Sequence, residues 1–233
     1  MTSASATTVA DLHAGRGWPP AGVQAVVFDV VGTLVEPAPR VADAYAAAGR
    51  RHGVILDPAD IDRRFRAAWR RQEQFDAAAT PPFATSGGRE VARWRAIVGD
   101  VFANHPACAA IFADLWDHFG RPQAWQPIPA GVELARGVVD AGIDLVLASN
   151  FDERLFAIAS VVEPLSWARH VYASSEVGWR KPAVEFFRTV ERRLGRAGHE
   201  LLLVGDDPDL DLAAGRRAGW HVRDVALPAS AAG

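Results

Sequence analysis

Val26-Val27-Phe28-Asp29-Val30-Val31-Gly32-Thr33-Leu34-Val35 opens on three apolar residues that run into an acid, with Gly-Thr following two residues later. A short apolar run of this kind predicts a strand buried on both faces, as in a parallel sheet. Gly32 permits a sharp turn where that strand ends. Asp29 is then expected at the strand's carboxyl end, where open α/β sheets bind ligands. A carboxylate in that position is a nucleophile, a metal ligand or both, or else simply the turn-forming Asp that follows many strands.

From residue 129 onward the pattern alternates helix and strand. Helices are expected over 131–141, from Glu153, over 183–194 and through Ala218. Strands are expected over 143–148, 170–173, 201–204 and 221–225. Repeated βα units predict a doubly wound parallel sheet with right-handed crossovers and helices on both faces. Between the first strand and this alternation, Glu36-Pro37-Ala38-Pro39 breaks regular structure. About eighty residues of helical periodicity follow, with Asp57-Pro58 as an N-cap and first-turn proline. The division expected is a core of residues 23–37 and 126–233, a helical cap of residues 38–125, and a loose tail of residues 1–22.

The composition bounds the function. The chain has 233 residues, 49% of them hydrophobic and 23% charged, enough to bury a sizeable core. A net charge of −3 gives no overall basic field for nucleic acid or an anionic membrane. No apolar run approaches the ~18 residues of a membrane span, and the N-terminal stretch lacks the apolar core of a signal peptide. Cys108 is the only cysteine, so intramolecular disulfides are impossible and a reducing, cytoplasmic setting is the natural expectation. Cys108 itself is expected to be a buried structural thiol. His105, His118 and Cys108 have no metal-ligand spacing between them. Ile61, Phe65, Ala68, Trp69 and Gln72 mark the inward face of one cap helix, while Arg63, Arg64, Arg66, Arg70 and Arg71 are expected on its solvated face. Trp94, Phe102, Phe112 and Trp116 are read as core.

Four predicted strand ends carry polar residues: Asp29, Ser149-Asn150, Lys181 just beyond its strand, and Gly205-Asp206-Asp207-Pro208-Asp209-Leu210-Asp211. In a parallel sheet these ends share one edge. Strand-Asp-x-x-Gly-Thr, cap, strand-Ser-Asn, Lys-Pro and strand-Gly-Asp-x-x-x-x-Asp together resemble the haloacid dehalogenase superfamily, from about Ala25 to the end. Ser149-Asn150-Phe151-Asp152, Glu176-Val177-Gly178-Trp179-Arg180-Lys181-Pro182 and Trp116-Asp117-His118-Phe119-Gly120 look like its haloacid dehalogenase-like hydrolase domain-containing protein 3 subgroup.

The resemblance implies the doubly wound fold, the inserted cap and a set of roles. Asp29 would be the nucleophile that forms an aspartyl-phosphate. Mg²⁺ would be held by Asp29, the backbone carbonyl of Val31 and Asp206, with Asp207 a further candidate and Asp211 holding either Lys181 or a metal-bound water. Ser149 and Lys181 would stabilise charge on the phosphoryl oxygens. Thr33 and Asn150 are placed on the substrate side, Thr33 also fixing the loop. The partner expected is a small phosphorylated or acidic metabolite, and the chain is a monomer or a homodimer.

One position departs from the pattern. The second residue after the nucleophile is usually another Asp in the superfamily's phosphatases, serving as acid and base, and here it is Val31. Positioned acid–base catalysis contributes ~10²–10⁴-fold, so a specialised or impaired phosphohydrolase is expected. A metal- and phospho-ligand-binding protein is the alternative, and a 2-haloacid dehalogenase the third. Phosphonate cleavage through a cap lysine is excluded, because Lys181 is the only lysine in the chain.

Overall fold

A computed structural model describes residues 18–226. In chain order the elements are β1 (Ala25–Phe28), β2 (Val35–Pro37), α1 (Val41–Arg51), α2 (Pro58–Ala78), α3 (Gly87–Val101), α4 (Cys108–Phe119), β3 (Trp125–Pro127), α5 (Pro129–Asp140), β4 (Asp144–Ser149), α6 (Arg154–Ala159), β5 (His170–Ala173), α7 (Ser174–Val177), α8 (Val184–Leu194), β6 (Leu201–Gly205), α9 (Ala214–Ala218) and β7 (His221–Asp224).

Five strands form one sheet in the order β5-β4-β1-β6-β7, and every pairing in it is parallel. The apolar run that ends at Phe28 is the central strand. Val26 and Phe28 join Leu134, Leu147, Ile158 and Val204 in the cluster on one face, packed under α5 and α6. Ala25 and Val27 join Val146, Phe186, Val190 and Leu203 on the other, under α8 and α9. Burial on both faces is why the strand reads as continuous hydrophobicity and not as alternation. Phe28 pairs with Leu147 on one side and Val204 on the other, so the carboxyl ends of β4, β1 and β6 lie side by side. The chain leaves β1 for β4 on one side and later reaches β6 on the other. That reversal makes the end of β1 the switch point at which such sheets hold ligands.

Helices α1–α4 gather on a third cluster of their own, built from Tyr45, Ala48, Ile61, Ile97, Val101 and Ile111. The chain enters and leaves this helical block through an antiparallel ribbon, β2 with β3, in which Val35 pairs with Pro127 and Pro37 with Trp125. The expectation of broken structure at Glu36–Pro39 misses this ribbon. Its strands are three residues long and carry prolines, too little for a periodicity to register. Asp57 caps α2 as expected, its carboxylate accepting from Ala59 N at 2.8 Å. Ser86 caps α3 in the same manner, accepting from Arg89 N at 3.2 Å.

Three expectations need correction. Of the loose tail drawn over residues 1–22, residues 1–17 lie outside the described residues. Trp18, however, is tied to the core: its indole donates to Leu134 O at 3.2 Å and its ring packs beside Arg223 and Gly137. Cys108 is only half-buried, because it stands at the start of α4 on the margin of the cap cluster. The helix expected to run through Ala218 begins as a wider turn over Pro208–Ala213, in which Leu212 N bonds Asp207 O at 3.1 Å. Among the described residues, no helix is long and apolar enough to cross a membrane.

Candidate functional site

The site is assembled by backbone first. Asp29 N donates to Val204 O at 2.9 Å, which extends the β1–β6 ladder one residue beyond the strand and fixes the acid at the edge. Gly32 then turns with φ +90°, and a Cβ there would lie 2.4 Å from Asp206 Oδ2. A Cβ on Gly205 would lie 2.5 Å from Asp211 Oδ2. Both glycines are needed so that backbone and carboxylate can come this close. The wide turn after β6 brings Asp211 back toward the sheet edge, where its Oδ2 accepts from Asp207 N at 3.3 Å.

Asp29, Asp206 and Asp211 each offer a carboxylate oxygen, and these oxygens lie within 4.8 Å of one another. Lys181 Nζ sits between two of the acids, donating to Asp29 Oδ1 at 2.7 Å and to Asp211 Oδ1. The lysine is 2% exposed, so this is a buried ion cluster and not a surface pair. Its backbone is clamped by Asn150, whose Nδ2 donates to Lys181 O at 2.9 Å while Oδ1 accepts from Lys181 N at 2.8 Å. Thr33 is fully buried and its hydroxyl donates to Asp206 Oδ1 at 3.0 Å.

Three carboxylates against one ammonium leave two negative charges when all are ionised. The titrations reflect this. Burial pushes Asp29 above its usual range and the Asp206 charge adds to it, while Lys181 pulls the other way. Burial likewise raises Asp206, with Asp211 adding repulsion against the Thr33 hydrogen bond. Asp211 is pushed up to about 6, by burial first and by Asp29 as well, against the pull of Lys181. Burial opposes the charge on Lys181, but Asp211 and Asp29 outweigh it and hold the ammonium protonated above its ordinary range. Clustered hard oxygen donors with excess negative charge fit a divalent cation such as Mg²⁺.

The residues singled out in the sequence therefore separate. Asp29, Lys181, Asp206 and Asp211 come together, and Ser149 and Val31 line the same cavity. Thr33 anchors Asp206 through its hydroxyl, and Asn150 clamps the Lys181 peptide while also lining the cavity. Asp207 stands outside the cluster because its Oδ1 accepts from Asp209 N and Leu210 N, both at 2.8 Å, capping the turn.

Above the acids lies a cavity of about 470 Å³ reaching into the helical block. Phe65, Trp69, Trp94, Phe112 and Trp116, expected as core, line its wall as well as packing in or against the cap cluster. Arg66 and Arg70, expected on a solvated helix face, are exposed and also reach the cavity. A helix face one turn wide cannot be resolved into core and cavity wall from spacing alone.

Two contacts between core and helical block use residues of the motifs quoted above, Asp152, Arg180 and Trp116, to which the sequence assigned no role in joining the two. Arg154 forks onto Asp152, with Nε to Oδ1 and Nη2 to Oδ2 both at 2.7 Å, and its guanidinium stacks 3.5 Å from the Trp116 ring centroid. Arg180, next to Lys181, is 1% exposed and lies among three carboxylates from α2 and α3. Its Nη1 donates to Glu90 at 2.8 Å, and Glu73 and Asp76 lie 3.4 and 3.7 Å away. Arg93 pairs with Asp76 and Glu73, Arg89 pairs with Asp76, and Arg180 N donates to Phe83 O at 2.9 Å. Three acids thus meet three arginines.

Comparison with known proteins agrees with the fold. A family model described as haloacid dehalogenase-like hydrolase matches residues 23–219. The human protein named haloacid dehalogenase-like hydrolase domain-containing protein 3 is 27% identical over 205 residues, covering 85% of this chain and 80% of its own. The Bos taurus protein of the same name is 27% identical over 215 residues, covering 87% and 82%. Among solved structures, the magnesium-bound putative HAD-hydrolase YfnB from Bacillus subtilis superposes with a TM-score of 0.62 at 18% identity, over 86% of this chain and 87% of that one. The defluorinating L-2-haloacid dehalogenase Rha0230 gives 0.66 at 21%, over 86% and 80%.

Proposed function

Since the chain belongs to the haloacid dehalogenase-like hydrolase family, we propose that it is a Mg²⁺-dependent phosphohydrolase acting on a small phosphorylated metabolite through Asp29. The observation that carries this reading is the buried cluster of Asp29, Asp206 and Asp211 around Lys181 at the carboxyl end of the central strand. The core of residues 23–37 and 126–233 supplies the chemistry, and the cap of residues 38–125 closes over it.

Lys181 holds one oxygen of Asp29, which leaves the other to attack phosphorus. The bond from that oxygen to phosphorus forms as the bond to the leaving oxygen breaks, and water later cleaves the aspartyl-phosphate. Lys181 and the Ser149 hydroxyl, both buried, stabilise the charge that gathers on the phosphoryl oxygens. Asn150 keeps the lysine in register by holding its peptide group on both sides. Asp29, Asp206 and Asp211, with the backbone of Val31, would hold the cation. Bound there, Mg²⁺ offsets the repulsion between the carboxylates and an incoming phosphate.

A second reading is favoured by one observation. Beside Asp29 the cavity is lined by Val31, a hydrocarbon that neither gives nor takes a proton. A protein that binds a cation and a phosphorylated ligand without turnover fits that feature. Halide displacement has less support, because a three-carboxylate cluster has no task in it.

Phosphate release from acetyl phosphate, with Mg²⁺ and with EDTA, tests the proposal in wild type and Asp29→Asn. Turnover that needs Mg²⁺ and vanishes in the variant is expected. Tight phosphate binding without turnover would favour the binding protein, and chloride release from 2-chloropropionate in EDTA would overturn the phosphohydrolase reading.

A further inference from the structure

The cavity wall and the missing acid point to the same ligand chemistry. We infer, resting on the phosphohydrolase reading above, that the substrate is a phosphomonoester of a phenol, bound with its ring in the aromatic cavity and its phosphoryl group at Asp29 and Lys181.

The wall supplies the first half of the argument. Opposite the polar floor of Asp29, Ser149 and Lys181, the cavity is faced by Phe65, Trp69, Trp94, Phe112 and Trp116 together with Val41. Trp69 and Trp94 have ring centroids 5.7 Å apart at 55° and both are half-buried; the Arg93 guanidinium lies 4.8 Å from the Trp69 centroid, whereas the Trp94 ring meets those of Phe65 and Trp69. A flat ring gains offset or edge contacts there that a chain of methylenes does not. The exposed Arg66 and Arg70, which make no ion pair among the described residues, add positive charge that suits an anionic ligand.

The missing acid at Val31 supplies the second half. The ionisable groups lining the cavity are the four site residues, Asp152, Asp207, Tyr45 and three arginines. Both Asp152 oxygens are taken by Arg154, and Asp207 Oδ1 is taken by two amides of its turn. Tyr45 is buried, which raises its phenol above the ordinary value and makes it a poorer acid still. Val31, the lining residue two positions after Asp29, offers no proton to a departing alkoxide. A phenol has a pKa near ~10, against ~15.7 for water, so an aryloxide leaves without that help. As the Asp29–phosphorus bond forms, the phosphorus–oxygen bond breaks with its electron pair on the aryloxide, which takes its proton from solvent. Water then releases inorganic phosphate and restores the carboxylate.

The test measures kcat/KM for 1-naphthyl phosphate, 2-cyclohexylethyl phosphate and acetyl phosphate with Mg²⁺, in wild type, Trp94→Ala and Val41→Phe. Binding of 1-naphthylmethylphosphonate and butylphosphonate is followed by tryptophan fluorescence. The naphthyl ester is expected to exceed the cyclohexylethyl ester by at least 100-fold. The naphthyl phosphonate is expected to bind at least tenfold more tightly than the butyl one. Each variant, one removing a ring and one filling the cavity, should lower the naphthyl-to-acetyl ratio at least tenfold. Turnover of acetyl phosphate without preference for the naphthyl ester overturns the inference and leaves the phosphohydrolase reading standing. No turnover of acetyl phosphate defeats that reading. Equal binding of the two phosphonates then rejects the aromatic ligand too, whereas preference for the naphthyl compound upholds it as the ligand of a binding protein.

Discussion

Replacing Arg180 with methionine removes one of three arginines from a cage of three acids while keeping most of the side chain's volume. Glu90 and Asp76 then stay buried with one negative charge uncompensated, since their side chains are each only 2% exposed. Breaking a buried pair by deleting one partner costs about 3–5 kcal/mol. For a chain of this length that lowers the melting temperature by roughly 6–20 °C. Thermal melts and urea titrations of wild type and Arg180→Met measure the loss directly. The sharper test is the double variant Arg180→Met/Glu90→Gln, which removes one charge of each sign. It should be more stable than Arg180→Met alone, because the cage is neutral again. A single variant within about 1 kcal/mol of wild type, or a double variant less stable than the single, would refute the view that the cage holds the cap helices against the segment carrying Lys181.

The same cage sets a pH dependence. Glu90 titrates below its ordinary value: burial works against this, but Arg180, Thr85 and Arg93 outweigh it. Its contribution to stability is therefore present above the unfolded carboxylate pKa and lost as pH falls through the lower folded value. The stability gap between wild type and Arg180→Met should narrow as pH falls below the ordinary carboxylate value of 4.5, and a gap that widens there would show that another group dominates. Gly32→Ala places a Cβ 2.4 Å from Asp206 Oδ2 at φ +90°. A loss of about 1–3 kcal/mol in urea is expected from the strain, together with weakened Mg²⁺ binding; unchanged affinity would mean that Asp206 is not a ligand. Thr33→Val keeps the shape but deletes the hydroxyl that donates to Asp206. Calorimetry should find Mg²⁺ affinity reduced ~10–100-fold, and a change below twofold would leave Thr33 a purely structural role.

The sequence by itself determined the sheet and its edge. The run through Val26, Val27 and Phe28 must be buried on both faces, and a residue following it must emerge at the carboxyl end, so Asp29, Ser149, Lys181 and Asp206 were legible as one group. What the chain could not state locally was the use of each polar atom. Thr33, Asn150 and Asp207 have the residue types of substrate or metal ligands, yet each is engaged by a group already in the fold: Asp206, the Lys181 backbone and the Asp209–Leu210 turn. Hydrogen-bond partners are set by distance in space, and Thr33 and Asp206 are 173 residues apart in the chain. The cap posed the same difficulty in apolar form. Helical spacing put Phe65 and Trp69 on an inward face correctly, but only the docking of four helices over the sheet decided which inward residues met each other and which lined the cavity. Arg180 is the extreme case: read along the chain it is a charged neighbour of Lys181, and only tertiary packing surrounds it with acids from two distant helices.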